Sequence, residues 1–104
     1  MLHRENKITH YHESSAADLI KETMEYHGIT QADLASRIGV SQKYVSDIVN
    51  RKQYLNEEVA LRIESVTGIS AKLLLDLDTS YKLEHAKQEA KKNSKASLRR
   101  YSWA

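Results

Sequence analysis

With 104 residues, no Cys, no Pro and three Gly, the chain has room for one domain with a modest core, and a disulfide framework or a thiolate metal site is excluded. Aromatics are 7% with no Phe, so the core is expected to be aliphatic. No apolar run approaches a membrane span and no signal peptide precedes the first helix, which leads to the expectation of a soluble cytoplasmic protein.

Residues 1–14 show no periodicity and are expected to be a flexible N-terminal segment. His3, His10 and His12 lie there, but without Cys or a matching carboxylate pattern they do not make a metal site, and no metal or other cofactor is expected. Ser15 with Asp18 has capping-box spacing and opens a helix from Ala16 to about Tyr26. Its core face is Ala16, Leu19, Ile20, Thr23 and Met24. Gly28 ends it, and Ile29 plugs the core.

The next stretch organises the chain. Thr30 can cap a helix, with Asp33 three residues on completing a capping-box pattern, and Leu34, Ala35 and Ile38 recur in it at helical spacing. Gly39 suits the left-handed backbone that ends it. Ser41 can cap a second helix with Val45, Ile48 and Val49 as its buried stripe. Ala35 is small where two helices cross closely, so the pair fits a helix-turn-helix. Gln42, Lys43, Ser46, Asp47 and Asn50 are left facing outward. These multi-donor side chains suit the reading of base edges, a role assigned to Gln42, Lys43, Ser46 and Asp47. An ordinary helical hairpin with a solvated face is the plainer alternative.

Gln31, in the first turn after Thr30, is placed to meet a phosphate with its side chain and backbone N–H. The polar, basic loop Arg51, Lys52, Gln53, Tyr54 directly follows the reading helix. Ser41, Tyr44, Asn50, Arg51, Lys52 and Tyr54 join Gln31 as expected phosphate contacts.

Asn56 can cap a fourth helix, with Glu57 and Glu58 in its first turn and Ala60, Ile63, Val66 and Thr67 inward, Leu61 beside them. Ser70 can cap a fifth, in which Leu73, Leu74, Leu77 and Tyr81 form a stripe that Leu83, His85 and Ala86 can continue. Three consecutive leucines exceed what one face needs in so small a domain. The surplus is either core or a homodimer interface, and the latter is adopted here.

The net charge of +2 is unevenly spread. Residues 16–81 hold seven Lys/Arg and ten Asp/Glu, whereas 82–104 hold seven Lys/Arg and two Asp/Glu. A basic tail, 88–104, on a domain spanning 15–87 suits phosphate contact or plain solvation. Tyr101 and Trp103 are either partner anchors or an end packed back on the domain. Nothing forms a catalytic triad or paired-carboxylate arrangement, so no enzyme is expected. The fold expected is all-α: a compact five-helix domain containing a helix-turn-helix, with an extended last helix.

Residues from Leu19 to Ile63 resemble the phage-repressor (Cro/C1, or Xre) class of helix-turn-helix domains. The likeness is carried by Gly28-Ile29-Thr30-Gln31, by LASRIGVS ending at Ser41, and by Ala60-Leu61-Arg62-Ile63 before Gly68. Within that class Leu75-Asp76-Leu77-Asp78-Thr79-Ser80-Tyr81 resembles the ending of the HigA antitoxins, although Leu74 and Leu75 stand where that group often has an aromatic and Trp. The likeness covers roughly residues 16 to 87. Two departures stand out. The family usually follows the reading helix with Asn-Gly, whereas Asn50 is followed by Arg51, which must either strain or reshape the loop. His12-Glu13-Ser14-Ser15 replaces the family's common His-Pro-Gly-Glu. The resemblance implies a type II antitoxin that binds double-stranded operator DNA as a homodimer, represses its own operon and neutralises a RelE-like mRNA-cleaving toxin. A stand-alone phage or chromosomal repressor of the same fold, without a toxin, is the alternative.

Overall fold

The structure is a computed structural model and describes residues 14–92 and 98–103. Its helices are α1 (Ala16–His27), α2 (Gln31–Ile38), α3 (Gln42–Val49), α4 (Glu57–Thr67) and α5 (Ala71–Lys92). The histidines at 3, 10 and 12 lie outside the described residues. No helix among those described is long and apolar enough to cross a membrane.

Local chemistry sets the boundaries. The Ser15 N–H donates to the Asp18 carboxylate at 2.8 Å, Thr30 Oγ1 accepts from the Asp33 N–H at 3.1 Å, and Asn56 Oδ1 from the Val59 N–H at 2.8 Å. Each satisfies a donor that the first helical turn leaves open, typically worth about 1 kcal/mol. Asp33 does not reach back to Thr30; its carboxylate instead accepts from Arg37 Nε at 3.2 Å. Gly39 ends α2 at φ +76°, where an added Cβ would meet only ordinary contact, so the backbone angle is what calls for glycine.

One apolar core takes Ala16, Ile20 and Met24 from α1, Leu34, Ala35 and Ile38 from α2, and Val45, Ile48 and Val49 from α3. Leu55, Val59, Ile63 and Leu74 close it from the other side. Burying side chains the size of Ile63 and Leu74 stabilises the fold by about 1.5–3 kcal/mol each. Three expectations are corrected. On α4 the inward set is Val59, Ala60 and Ile63, while Leu61 and Val66 are exposed. On α5 the buried positions are Ala71, Leu74 and Asp78. Leu74 is therefore wholly inside the domain and has no surface to offer a second copy. The cause is shared: consecutive apolar residues fit more than one helical phase, and packing selects among them.

Asp78 is the polar element of this core. It is buried, and its two oxygens accept from the Ala16 N–H at 2.9 Å and the Leu55 N–H at 3.1 Å. One carboxylate on α5 thus ties down both the start of α1 and the loop ahead of α4. Hydrogen bonds to a charged acceptor are worth about 1.5–3 kcal/mol each. Beyond Tyr81 every described position of α5 is exposed, and the helix runs on to Lys92.

Candidate nucleic-acid interface

Helices α2 and α3 are joined by a turn in which Gly39 and Val40 donate their N–H groups to the Ala35 carbonyl at 2.9 and 3.0 Å. Val40 packs against the core. Arg62 on α4 braces the same corner, donating from Nη1 to the Ile38 carbonyl at 3.1 Å. A cation there also favours the negative end of α2. Ser41 Oγ accepts from the Tyr44 N–H at 3.0 Å and fixes where α3 begins. With Val45, Ile48 and Val49 buried, the opposite face of α3 points to solvent.

That face carries the four residues expected to read bases. Gln42 and Lys43 are exposed in the first turn, and Ser46 and Asp47 are half-buried one turn on. Lys43 Nζ lies 3.0 Å from Asp47 Oδ2, with the lysine side chain 83% exposed and the aspartate 22%. An exposed i,i+4 pair contributes only about 0.3–0.5 kcal/mol, so it opens readily to a better partner. Asn50 Nδ2 donates to the Ser46 carbonyl at 2.9 Å and to Ser46 Oγ at 3.2 Å, which holds the end of the row together.

Among the expected phosphate contacts, Gln31 and Asn50 share an open cleft of about 310 Å³ with Lys21, Glu25 and the apolar Met24, Ile29 and Val49. Lys21, a cation on α1, was not placed there by its position in sequence. Lys52 is exposed, Tyr44 is half-buried against the core, and Tyr54 is overlaid by Lys82 Nζ at 4.8 Å from its ring centroid.

Arg51 differs from this group. It takes the left-handed conformation at φ +61°, the alternative of strain rather than a reshaped loop. For a non-glycine residue that conformation costs about 1–2 kcal/mol. Its guanidinium is ion-paired with Asp18, donates from Nε to Ser15 Oγ at 3.4 Å, and sits 5.3 Å from the Tyr81 ring centroid. Burial works to raise the Asp18 carboxyl, but hydrogen bonds from Arg51 and the Ser15 N–H, with the nearby guanidinium charge, outweigh it and hold the group below its ordinary value. Arg51 thus engages groups of its own chain, with its side chain still 44% exposed.

Residues 20–74, just over half of the chain, match a family described as helix-turn-helix. The chain belongs to that family. Among the described residues its five helices make an all-α, Xre-like fold. No curated protein matches it by sequence. Among solved structures it is similar to the antitoxin GraA, at 22% identity and TM-score 0.78, over 86% of this chain and 97% of that one. It is also similar to the Pseudomonas aeruginosa antitoxin HigA, solved with the higBA promoter, at 22% identity and TM-score 0.78 over 86% and 99%. A HigA-family addiction-module antidote protein from Coxiella burnetii follows, at 18% identity and TM-score 0.74 over 86% and 98%. At these identities the likeness is one of fold.

The remaining candidate residues of this helix-turn-helix protein fall on α5. Leu73 is 41% exposed and Leu77 half-buried, and with Leu83, 55% exposed, they line an open groove of about 490 Å³ edged by Asp76, Glu84 and Lys87. Tyr81 is not on that groove: it faces Arg51, and its ring lies 4.4 Å from that of His85 and 6.4 Å from that of Tyr54. Leu83 was read only as continuing the stripe; helical spacing from Leu73 and Leu77 through Ser80 was the signal that places it with them. Among the described residues, no group of three His, Asp or Glu could hold a metal ion.

Proposed function

We propose that the protein is a sequence-specific DNA-binding antitoxin of the HigA type, which represses its own operon as a homodimer and neutralises a RelE-like mRNA-cleaving toxin. One observation carries the DNA half of this reading: α3 is buried on one side and offers Gln42, Lys43, Ser46 and Asp47 on the other, within a helix-turn-helix. Such a helix enters the major groove with its N-terminal residues at base edges. Gln42 pairs bidentately with adenine, and Lys43 donates to guanine O6 and N7 once its pair with Asp47 opens. Asp47 is then free to accept from cytosine N4, and Ser46 reaches a neighbouring base. Gln31, Ser41, Tyr44, Asn50, Lys52 and Tyr54 hold the flanking phosphates.

The antitoxin half is supported by the shared fold with GraA and the HigA proteins. For the homodimer, the exposed groove of Leu73, Leu77 and Leu83 replaces the stripe that included Leu74 and Tyr81. A two-fold dimer calls for inverted half-sites ~10 bp apart, or a multiple of that. A mobility-shift assay on the DNA upstream of the protein's own reading frame tests the reading. A complex that survives excess scrambled duplex supports it; equal loss to operator and scrambled competitor refutes it.

A further inference from the structure

Arg51 lies two residues past the end of α3, and its backbone holds a conformation that a glycine would adopt more easily. Its side chain reaches 33 residues back to Asp18 on α1 and covers Tyr81 on α5. The Arg51 N–H donates to the Ile48 carbonyl at 3.1 Å and the Lys52 N–H to the Asp47 carbonyl at 2.7 Å, so the strained residue is continuous with the last turn of α3. Both surfaces it grips are themselves anchored. Asp18 is held by the Ser15 N–H, and α5 is tied to α1 and to Leu55 through the buried Asp78.

We infer that Arg51 is a positioning residue for DNA reading: its ion pair with Asp18 and its stacking on Tyr81 fix the C-terminal end of α3 against α1 and α5, and so set the angle at which Gln42, Lys43, Ser46 and Asp47 are presented. The inference rests on the DNA-binding reading above and assigns Arg51 no phosphate. The rigid-body angle of a reading helix matters because base-edge hydrogen bonds tolerate little misplacement, whereas phosphate contacts are longer-reaching and indifferent to sequence.

The two roles for Arg51 predict opposite results with the full chain titrated against the upstream duplex and a scrambled duplex at several salt concentrations. Arg51→Gly suits the backbone angle and removes the side chain. Asp18→Asn keeps an oxygen for the Ser15 N–H and leaves Arg51 free to swing outward. As a positioning pair, each variant lowers affinity for the upstream duplex at least tenfold with the salt slope unchanged. Affinity for scrambled DNA moves less, and the double variant is no worse than the weaker single.

As a phosphate contact, Arg51→Gly instead weakens both DNAs alike and lowers the slope by about one, while Asp18→Asn tightens binding by removing a negative charge. That result, or wild-type binding by both variants, overturns the inference. Thermal melts of the four proteins accompany the titration. If the wild type prefers no duplex, the DNA reading fails, and non-additive melting then keeps the Asp18–Arg51 latch while additive melting removes it.

Discussion

Single side chains divide by whether their partners are near in sequence. Asp78 accepts from Ala16, 62 positions away, and Arg51 donates to Asp18, 33 positions away. Neither pairing has a local signature, so Asp78 was legible only as part of a family-like string, and Arg51 only as a cation in a basic loop standing where the family has glycine. Asp78→Asn replaces an acceptor with an amide that opposes one of the two N–H groups. It should cost about 1–3 kcal/mol in urea melts, as expected when a buried donor loses its partner. The Asp18 carboxyl is held below its ordinary value of 3.8 in the folded state, so its contribution is fully present above that pH. Stability should fall as pH drops below 3.8 toward the folded value, and Asp18→Asn should flatten that part of the curve. Lys52, exposed beside the proposed reading helix, is proposed as a phosphate contact. Lys52→Ala should weaken all duplexes alike and lower the salt slope by about one.

At the scale of the helices, the caps and the glycine stops were legible because they are three-residue rules. Thr30, Ser41, Asn56 and Ser70 all accept from the N–H three residues on, as their spacing predicts. Facing directions were legible where apolar residues are spaced by polar ones, as on α2 and α3. They were not where Leu73, Leu74 and Leu75 run together, since any of the three then suits the core. Packing put Leu74 inside and left Leu73 at the surface. The dimer proposal therefore moves to Leu73, Leu77 and Leu83. Leu83 is 55% exposed within the single chain, so Leu83→Asp should keep the helical content of the fold while giving monomers in sedimentation and weaker binding to the upstream duplex. A dimeric Leu83→Asp protein would place the interface elsewhere.

Across the whole molecule, charge and shape separate two ends. The helical body is net acidic in sequence, whereas the last turns of α5 and the segment beyond it are basic. Tyr101 and Trp103, 77% and 80% exposed, are not packed back on the domain, and their ring centroids lie 5.2 Å apart. Basic toxins match a basic tail poorly. Removing residues 88–104 exposes no core, since α5 buries nothing past Tyr81 among the described residues. It should lower DNA affinity and leave toxin neutralisation intact in a coexpression growth assay. Loss of neutralisation with DNA binding unchanged would assign the tail to the toxin.

Reading by α3 is the central claim, and the Lys43 side chain stands 83% exposed on the reading face. The direct measurement is titration of wild type and Lys43→Ala against the upstream duplex and a scrambled duplex over a range of salt. Lys43→Ala should cost roughly 1–3 kcal/mol on the upstream duplex and relax preference at one base pair, with scrambled DNA less affected. Equal loss on both duplexes would make Lys43 a phosphate contact and contradict the docking of α3 in the groove.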